Sequence, residues 1–281
     1  MKHISLFSGI GGIDIAAEWA GFKTVCFVEI DPYCQKVLRK HWPDVPVVGD
    51  VRDIYRFAVE YKSCPDCGEP YCIRHREHFA DCDCIGCSQW DDEYGDVDLI
   101  SGGFPCQDIS VAGSRIKQRG IDGERSGLWK EMHRIIRCLR PRYALIENVP
   151  ALSTRGLNTI LQDLAEIGYD AEWGIISTSQ VGGKHKRERL FIIAYTQGIG
   201  IQGVWPQGVK IPQSLASTLL PLSHSDGQWE IEPDVRRVAH GIPSRVDRLK
   251  ALGNAVVPQQ IYPILKAIAD IEMNLGEVKD G

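Results

Sequence analysis

The chain has 281 residues, of which 43% are hydrophobic and 25% charged, with a formal net charge of −5. That composition excludes a disordered tail, a collagen-like rod or a coiled coil, and at roughly 150 residues per domain the length suggests about two domains and a sizeable core. No apolar run reaches the ~18 residues that a membrane span needs. The opening stretch MKHISLFSGIGGIDIAAEWAGF carries one Lys followed by glycines and acidic residues, unlike a secretory signal, so a cytoplasmic chain with reduced thiols is expected. The charge is unevenly spread. Acidic residues gather at 81–98 and basic ones at 115–125, 134–142, 184–189 and 236–250, a pattern that allows a positive cleft on a protein that is negative overall.

In chain order, residues 3–7 read as a short apolar strand, and Ile13, Ala16, Ala17 and Ala20 give a helix that Gly21 stops. Residues 24–28 read as a second strand. Asp31-Pro32 opens a second helix, with proline in its first turn. Val47-Val48 is a short third strand, Val97 to Ile100 a fourth and Tyr143 to Ile146 a fifth, with a helix through Leu128, Met132, Ile135, Ile136 and Leu139 between the last two. A helix over 157–167, a strand over 190–194 and a final helix over 258–272 complete the pattern. The alternation of strand and helix predicts a doubly wound, Rossmann-like α/β sheet. From Thr196 to about Pro233 periodicity is lost, and Gly, Pro, Gln and Ser predict a loop-rich subdomain.

Two loops carry chemistry. Phe7-Ser8-Gly9-Ile10-Gly11-Gly12 links a strand to a helix, where glycines allow close backbone approach to a ligand. The dinucleotide fingerprint wants a third glycine at position 14, but Asp14 stands there, unfavourable to a pyrophosphate and favourable to an amino group or a sulfonium. Glu29 ends the second strand, where an acid can accept from ribose hydroxyls, and Asp50 ends the third, where it can hold an adenine amino group. Together these favour a nucleoside cofactor without phosphates, a description S-adenosylmethionine fits. The second loop, Gly102-Gly103-Phe104-Pro105-Cys106, follows a strand at the edge where open sheets bind ligands. A glycine-rich stretch with Arg115, Lys117 and Arg119 follows, as expected of a lid over a polyanion.

Six of the ten cysteines lie between Cys64 and Cys87. Two Cys-x-x-Cys pairs, Cys64 with Cys67 and Cys84 with Cys87, flank a loop and supply the four thiolates of a closed structural zinc, with His75 or Cys82 as substitutes.

These segments, in this order, resemble the DNA cytosine-5 methyltransferase family of bacterial and phage type. LFSGIGG resembles its cofactor loop and Glu29 its ribose-binding acid. GGFPCQDIS resembles its catalytic loop, Glu147-Asn148-Val149 its Glu-Asn-Val motif, and Leu252-Gly253-Asn254-Ala255-Val256-Val257-Pro258 its closing Gly-Asn motif. His185-Lys186-Arg187-Glu188-Arg189 resembles Gln-x-Arg-x-Arg, with His185 in place of the usual glutamine.

The resemblance implies catalytic roles for Cys106 as nucleophile, Glu147 as proton donor to the base, Arg189 on the base, and Arg187 in support or on a phosphate. It implies a cofactor site from Phe7, Gly9, Gly11, Asp14, Glu29, Asp50, Pro105, Asn254 and Val256, with Asn254 bracing either the catalytic loop or the cofactor edge. The expected division is a catalytic, cofactor-binding domain from 1–60 and 93–195, a Cys-rich insert at 61–92, a short target-recognition region at 196–240, and a segment at 241–281 that returns to the catalytic domain.

The implied activity is methylation of C5 of a flipped-out cytosine in a specific double-stranded DNA sequence by a monomer. Whether a cognate restriction endonuclease accompanies it stays open. The alternatives are an RNA (tRNA) cytosine-5 methyltransferase, a zinc-containing nucleic-acid-binding protein with a vestigial core, and a nicotinamide-dependent oxidoreductase, against which Asp14 argues.

Overall fold

The computed structural model describes residues 1–54, 97–105, 128–183, 185–196 and 245–279. The four zinc-candidate cysteines, Cys106 with the basic loop behind it, and the expected target-recognition region lie outside the described residues.

The described strands form one seven-stranded sheet. In chain order the elements are β1 (Lys2–Leu6), α1 (Gly12–Trp19), β2 (Lys23–Val28), α2 (Pro32–His41), β3 (Val47–Val48), β4 (Leu99–Gly102), α3 (Leu128–Leu139), β5 (Tyr143–Asn148), α4 (Leu152–Arg155), α5 (Leu157–Glu166), β6 (Tyr169–Ser177), β7 (Glu188–Thr196), α6 (Arg245–Asn254) and α7 (Pro258–Lys279). Across the sheet the order is β3-β2-β1-β4-β5-β7-β6. β1 to β5 pair in parallel, and β7 runs antiparallel to both of its neighbours.

The central strands are apolar on both faces, as a sheet covered twice requires. Successive residues therefore enter different cores. On β5, Ala144 and Ile146 join Trp129, Met132 and Ile136 of α3 and Ile160 and Leu164 of α5. Tyr143 and Leu145 join Ala16 and Ala17 of α1 and Ile261, Leu265 and Ile268 of α7. The C-terminal helix is thus pinned to the first one, and Tyr143 and Arg142 both hydrogen-bond Glu272 on it. At α2, Asp31 caps the start by accepting from Tyr33 N at 2.9 Å, ahead of Pro32.

Three elements depart from the expectation, the first being α4, a single helical turn of four residues. β6 was not anticipated, because exposed Trp173 and Ile175 and the intervening Gly174 break any simple alternation along it. α6 occupies part of what read as a basic run, and Val246, Leu249 and Leu252 on it are exposed, so no buried stripe announced it.

The topology sets the site. Chain order reverses between β1 and β4, and the crevice outside the carboxyl ends of strands at such a switch point is where open sheets bind ligands.

Candidate active site

A cleft of about 590 Å³ opens along that edge. Every parallel strand delivers its carboxyl end to it: β1 through Phe7 and Gly9, β2 through Glu29, β3 through Asp50, β4 through Gly103, Phe104 and Pro105, and β5 through Glu147 and Asn148. β7 contributes from its opposite end. Because it runs antiparallel, with Asn148 opposite Leu190, its first residues reach the same edge and Arg189 enters the cleft. Lys250, Ala251, Asn254 and Val256 close the far wall.

The turn after β1 is strained where it faces the cleft. Phe7 adopts a left-handed φ of +53°, a conformation that side chains larger than glycine rarely take and that collects at ligand sites. Glu29 orders this wall. Its carboxylate accepts from Gly9 N and from Asp31 N, each at 2.7 Å. Burial raises its pKa, and those two N–H groups oppose the rise by favouring the charged form.

On the opposite wall, Glu147 is buried at the end of β5, and Arg189 Nε lies 2.7 Å from its carboxylate. Burial pushes Glu147 up to about 7 in spite of the two arginines nearby, Arg189 and Arg187. The carboxylate also abuts the Gly103-Phe104-Pro105 backbone. A Cβ on Gly103 would fall 2.4 Å from Glu147 Oε2, so any larger residue there requires the carboxylate to shift. Asn148 fastens the same loop from β5, its Nδ2 donating to Phe104 O at 3.1 Å while its Oδ1 accepts from Val149 N. Sequence reasoning placed Asn148 inside a motif without assigning it this task.

Several expected residues sit elsewhere. Asp14 does not line the cleft. It is fully buried beneath the sheet edge, accepting from Ser5 Oγ at 3.1 Å and Thr24 Oγ1 at 3.4 Å. His3, also fully buried, completes this network through Thr24 at 2.9 Å and Ser101 at 2.7 Å. Desolvation raises Asp14 to about 7 and lowers His3 to about 3, so both tend toward neutrality. The reading of Asp14 as a partner for a cationic ligand is therefore corrected: α1 turns its first-turn carboxylate inward.

Gly11 likewise faces away from the cleft. A Cβ there would fall 2.6 Å from the Trp42 ring, so this glycine at φ +87° serves a packing contact. Arg187 does not line the cleft either; its guanidinium reaches Gly253 O and Ala255 O. His185 shares a hydrogen bond with Thr178 at 3.1 Å.

The sequence reading missed Lys250, whose ammonium bridges to Asp31 at 2.7 Å across the cleft mouth. Its place at the end of a basic run was the available signal. Among the described lining residues, each of the three cations has an acidic partner: Arg52 with Asp50, Arg189 with Glu147, and Lys250 with Asp31. Glu29 is left as the fourth carboxylate, held by backbone N–H groups alone. The cleft thus carries an excess acceptor beside the glycine turn, which suits hydroxyls or a cation and repels a pyrophosphate.

A carboxyl-edge cleft of this form, with a glycine turn on one side and a buried acid–arginine pair on the other, is the ligand crevice of an open α/β-sheet protein. The C-5 cytosine-specific DNA methylase family model matches residues 1–235, and the chain belongs to that family. It is 31% identical over 202 residues to the Type II methyltransferase M2.BsuMI of Bacillus subtilis, covering 69% of this chain and 42% of that one. It is 30% identical over 228 residues to the Type II methyltransferase M.AquIA of Picosynechococcus, covering 76% of this chain and 79% of that one. It is also similar to a solved mutant of Spodoptera frugiperda DNMT2, with a TM-score of 0.48 and 20% identity over 75% of this chain and 53% of that one. The chain spans less than half the length of M2.BsuMI. Among the described residues no helix is long and apolar enough to cross a membrane, and no group of His, Cys, Asp and Glu is arranged to hold a metal.

Proposed function

We propose that this protein methylates C5 of cytosine in double-stranded DNA, using S-adenosylmethionine. The observation that carries the reading is the buried Glu147–Arg189 pair, set against the Gly103-Phe104-Pro105 backbone that leads directly into Cys106. The cleft's size and its excess acceptor at Glu29 fit a phosphate-free nucleoside with a cationic centre. Phe7, Gly9, Glu29, Asp50, Pro105, Asn254 and Val256 would hold it. Bound there, S-adenosylmethionine supplies an electrophilic methyl group.

The chain's own residues prepare the base. A cytosine is out of reach inside a duplex and must first leave the stack. Cys106 thiolate adds to C6, and Glu147, protonated near neutral pH by its burial, donates a proton to N3. Electron density then collects at C5, which takes the methyl group. Arg189 holds Glu147 and would donate to the base O2. With S-adenosylhomocysteine released, loss of the C5 proton to a base, expulsion of the Cys106 thiolate and return of the N3 proton to Glu147 restore the aromatic ring and the acid.

An oligonucleotide series carrying 5-fluorocytosine tests this, because fluorine at C5 blocks the last elimination. With S-adenosylmethionine present, a covalent adduct should form with DNA and vanish in Cys106→Ala. No adduct across a broad set of DNA sequences, or an adduct formed with RNA alone, overturns the reading.

The same proposal includes one structural zinc on Cys64, Cys67, Cys84 and Cys87, supported by their spacing. Zinc well below one equivalent on elemental analysis overturns it. It includes residues 196–240 as the target reader, a cytoplasmic setting, and a restriction-modification context, supported by the Type II names of the relatives.

A further inference from the structure

We propose that Arg187 is a positioning residue: it caps the C-terminal end of α6 and so holds the cofactor end of the cleft in shape. This rests on the methyltransferase reading above and assigns Arg187 a task distinct from contact with base or phosphate.

The backbone of Arg187 is fixed first. Its N–H donates to Thr178 Oγ1 at 2.9 Å, and its carbonyl accepts from Thr178 Oγ1 at 3.0 Å and from Gln260 Nε2 at 2.8 Å. Gln260, fully buried in the first turn of α7, also donates to Ile176 O at 2.9 Å and so ties β6, β7 and α7 together at this point.

From that anchor the side chain runs to α6. One guanidinium nitrogen donates to Gly253 O and to Ala255 O, each at 2.7 Å. These carbonyls belong to the last residues of α6 and the turn beyond it, where a helix leaves acceptors without intrahelical partners and where a cation is favoured. They flank Asn254, and Asn254, Ala255 and Val256 line the cleft. Val256 in turn presses on the glycine turn of β1–α1, since a Cβ on Gly12 would fall 2.5 Å from Val256 O. A continuous set of contacts therefore runs from Arg187 through the 253–256 backbone to the glycine turn.

The arrangement is costly for the fold. Arg187 Nε is buried without a hydrogen-bond partner among the described residues, and the nearby Glu147 carboxylate is already engaged by Arg189. A half-buried guanidinium with an unsatisfied N–H adds little net stability of its own. Its two short bonds to carbonyls at the cleft wall are what it accomplishes.

Their hydrogen-bond partners separate the roles of the two arginines, Arg189 on β7 and Arg187 just before it. Arg189 pairs with Glu147 on the base side, and Arg187, two residues earlier, serves the cofactor side. Loss of Arg187 should loosen cofactor binding and leave the base-side pair intact.

The test uses Arg187→Gln and Arg187→Lys in the full chain. S-adenosylhomocysteine is titrated calorimetrically, and KM and kcat are measured on DNA. Arg187→Gln should raise the Kd for S-adenosylhomocysteine and the KM for S-adenosylmethionine about tenfold or more, with kcat at saturating cofactor within about threefold. Arg187→Lys should recover part of the affinity. Combined with Asn254→Ala, Arg187→Gln should cost less than the product of the single effects.

Hydrogen exchange of the 252–258 amides in the ligand-free protein provides a readout independent of the function, and Arg187→Gln should accelerate it. Unchanged exchange in that segment overturns the proposal even if the wild type binds no S-adenosylhomocysteine, a result that would itself count only against the methyltransferase reading. A rise in KM for DNA with the salt slope reduced by about one indicates a phosphate contact and overturns the proposal.

Discussion

Glu147 and Asp14 are both buried carboxylates, and burial pushes both up to about 7. They differ in what surrounds them. Glu147 stands at the carboxyl end of β5, where the sheet stops, with a guanidinium on one side and the cleft on the other. Asp14 lies beneath the strands, among the hydroxyls of Ser5 and Thr24 and near the ring of His3. A raised pKa therefore does not by itself mark a functional acid. Position at the carboxyl edge of the sheet and a cationic neighbour separate the proton donor from the structural acid.

Replacing each acid by its amide breaks the comparison most sharply. Glu147→Gln should lower kcat by about 100-fold or more, within the range lost with a general acid, and cofactor binding measured by calorimetry should change little. In the wild type, kcat should fall as pH rises through about 7, where Glu147 loses its proton, and this limb should be absent in the variant. A variant with normal kcat would remove Glu147 from the chemistry.

Gly103→Ala comes next. Its Cβ would lie 2.4 Å from Glu147 Oε2, so the carboxylate must shift and the bond to Arg189 must yield. A roughly tenfold or larger fall in kcat is expected from misplacement of this kind, with the pH limb displaced. An unmoved pH profile would show that Glu147 tolerates the crowding.

Asp14→Asn should leave kcat and cofactor affinity within about threefold and act on stability alone. The folded-state pKa of Asp14 is raised from 3.8 to about 7, so the native state binds this proton more tightly than the unfolded chain. Its contribution to stability is fully present below about pH 4 and is lost as pH climbs toward 7. The variant cannot ionise, so its melting temperature relative to wild type should improve between about pH 4 and pH 7 and level off above that. A constant difference would show that Asp14 does not titrate on unfolding. The smallest effect is expected for Arg52→Ala, which removes an exposed partner of Asp50. Stability should barely change, as for other surface pairs, in a chemical denaturation series.

Much of the scaffold was legible in the sequence. Every parallel strand and most helices follow from apolar runs and helical periodicity, with Asp31-Pro32 and Gly21 marking boundaries. β6 and α6 were not legible, since exposed Trp173 and Ile175 on one and exposed Val246, Leu249 and Leu252 on the other bury no continuous stripe against the core. Within the site, Glu29, Asp50, Glu147 and Arg189 were singled out from the sequence and line the cleft. Asp14 and Gly11 were singled out too and do not line it, because motif membership does not say which way a residue faces, and Arg187, expected nearby in support or on a phosphate, stands outside the lining. Gly11 is required by Trp42, which lies far along the chain from the turn it covers.

The sequence alone determined the parallel strands and most helices, the family and the chemical types present: a glycine turn, a cysteine after proline, a strand-end acid, a pair of arginines. These are local in the chain, so periodicity and short motifs report them. Only the tertiary structure decided which of those groups share a cleft. The reversal of chain order between β1 and β4 opens the crevice, and the antiparallel run of β7 carries Arg189 to Glu147 while Arg187 turns toward the end of α6. Such pairings depend on strand direction and on contacts between residues distant in the chain, which no local pattern encodes.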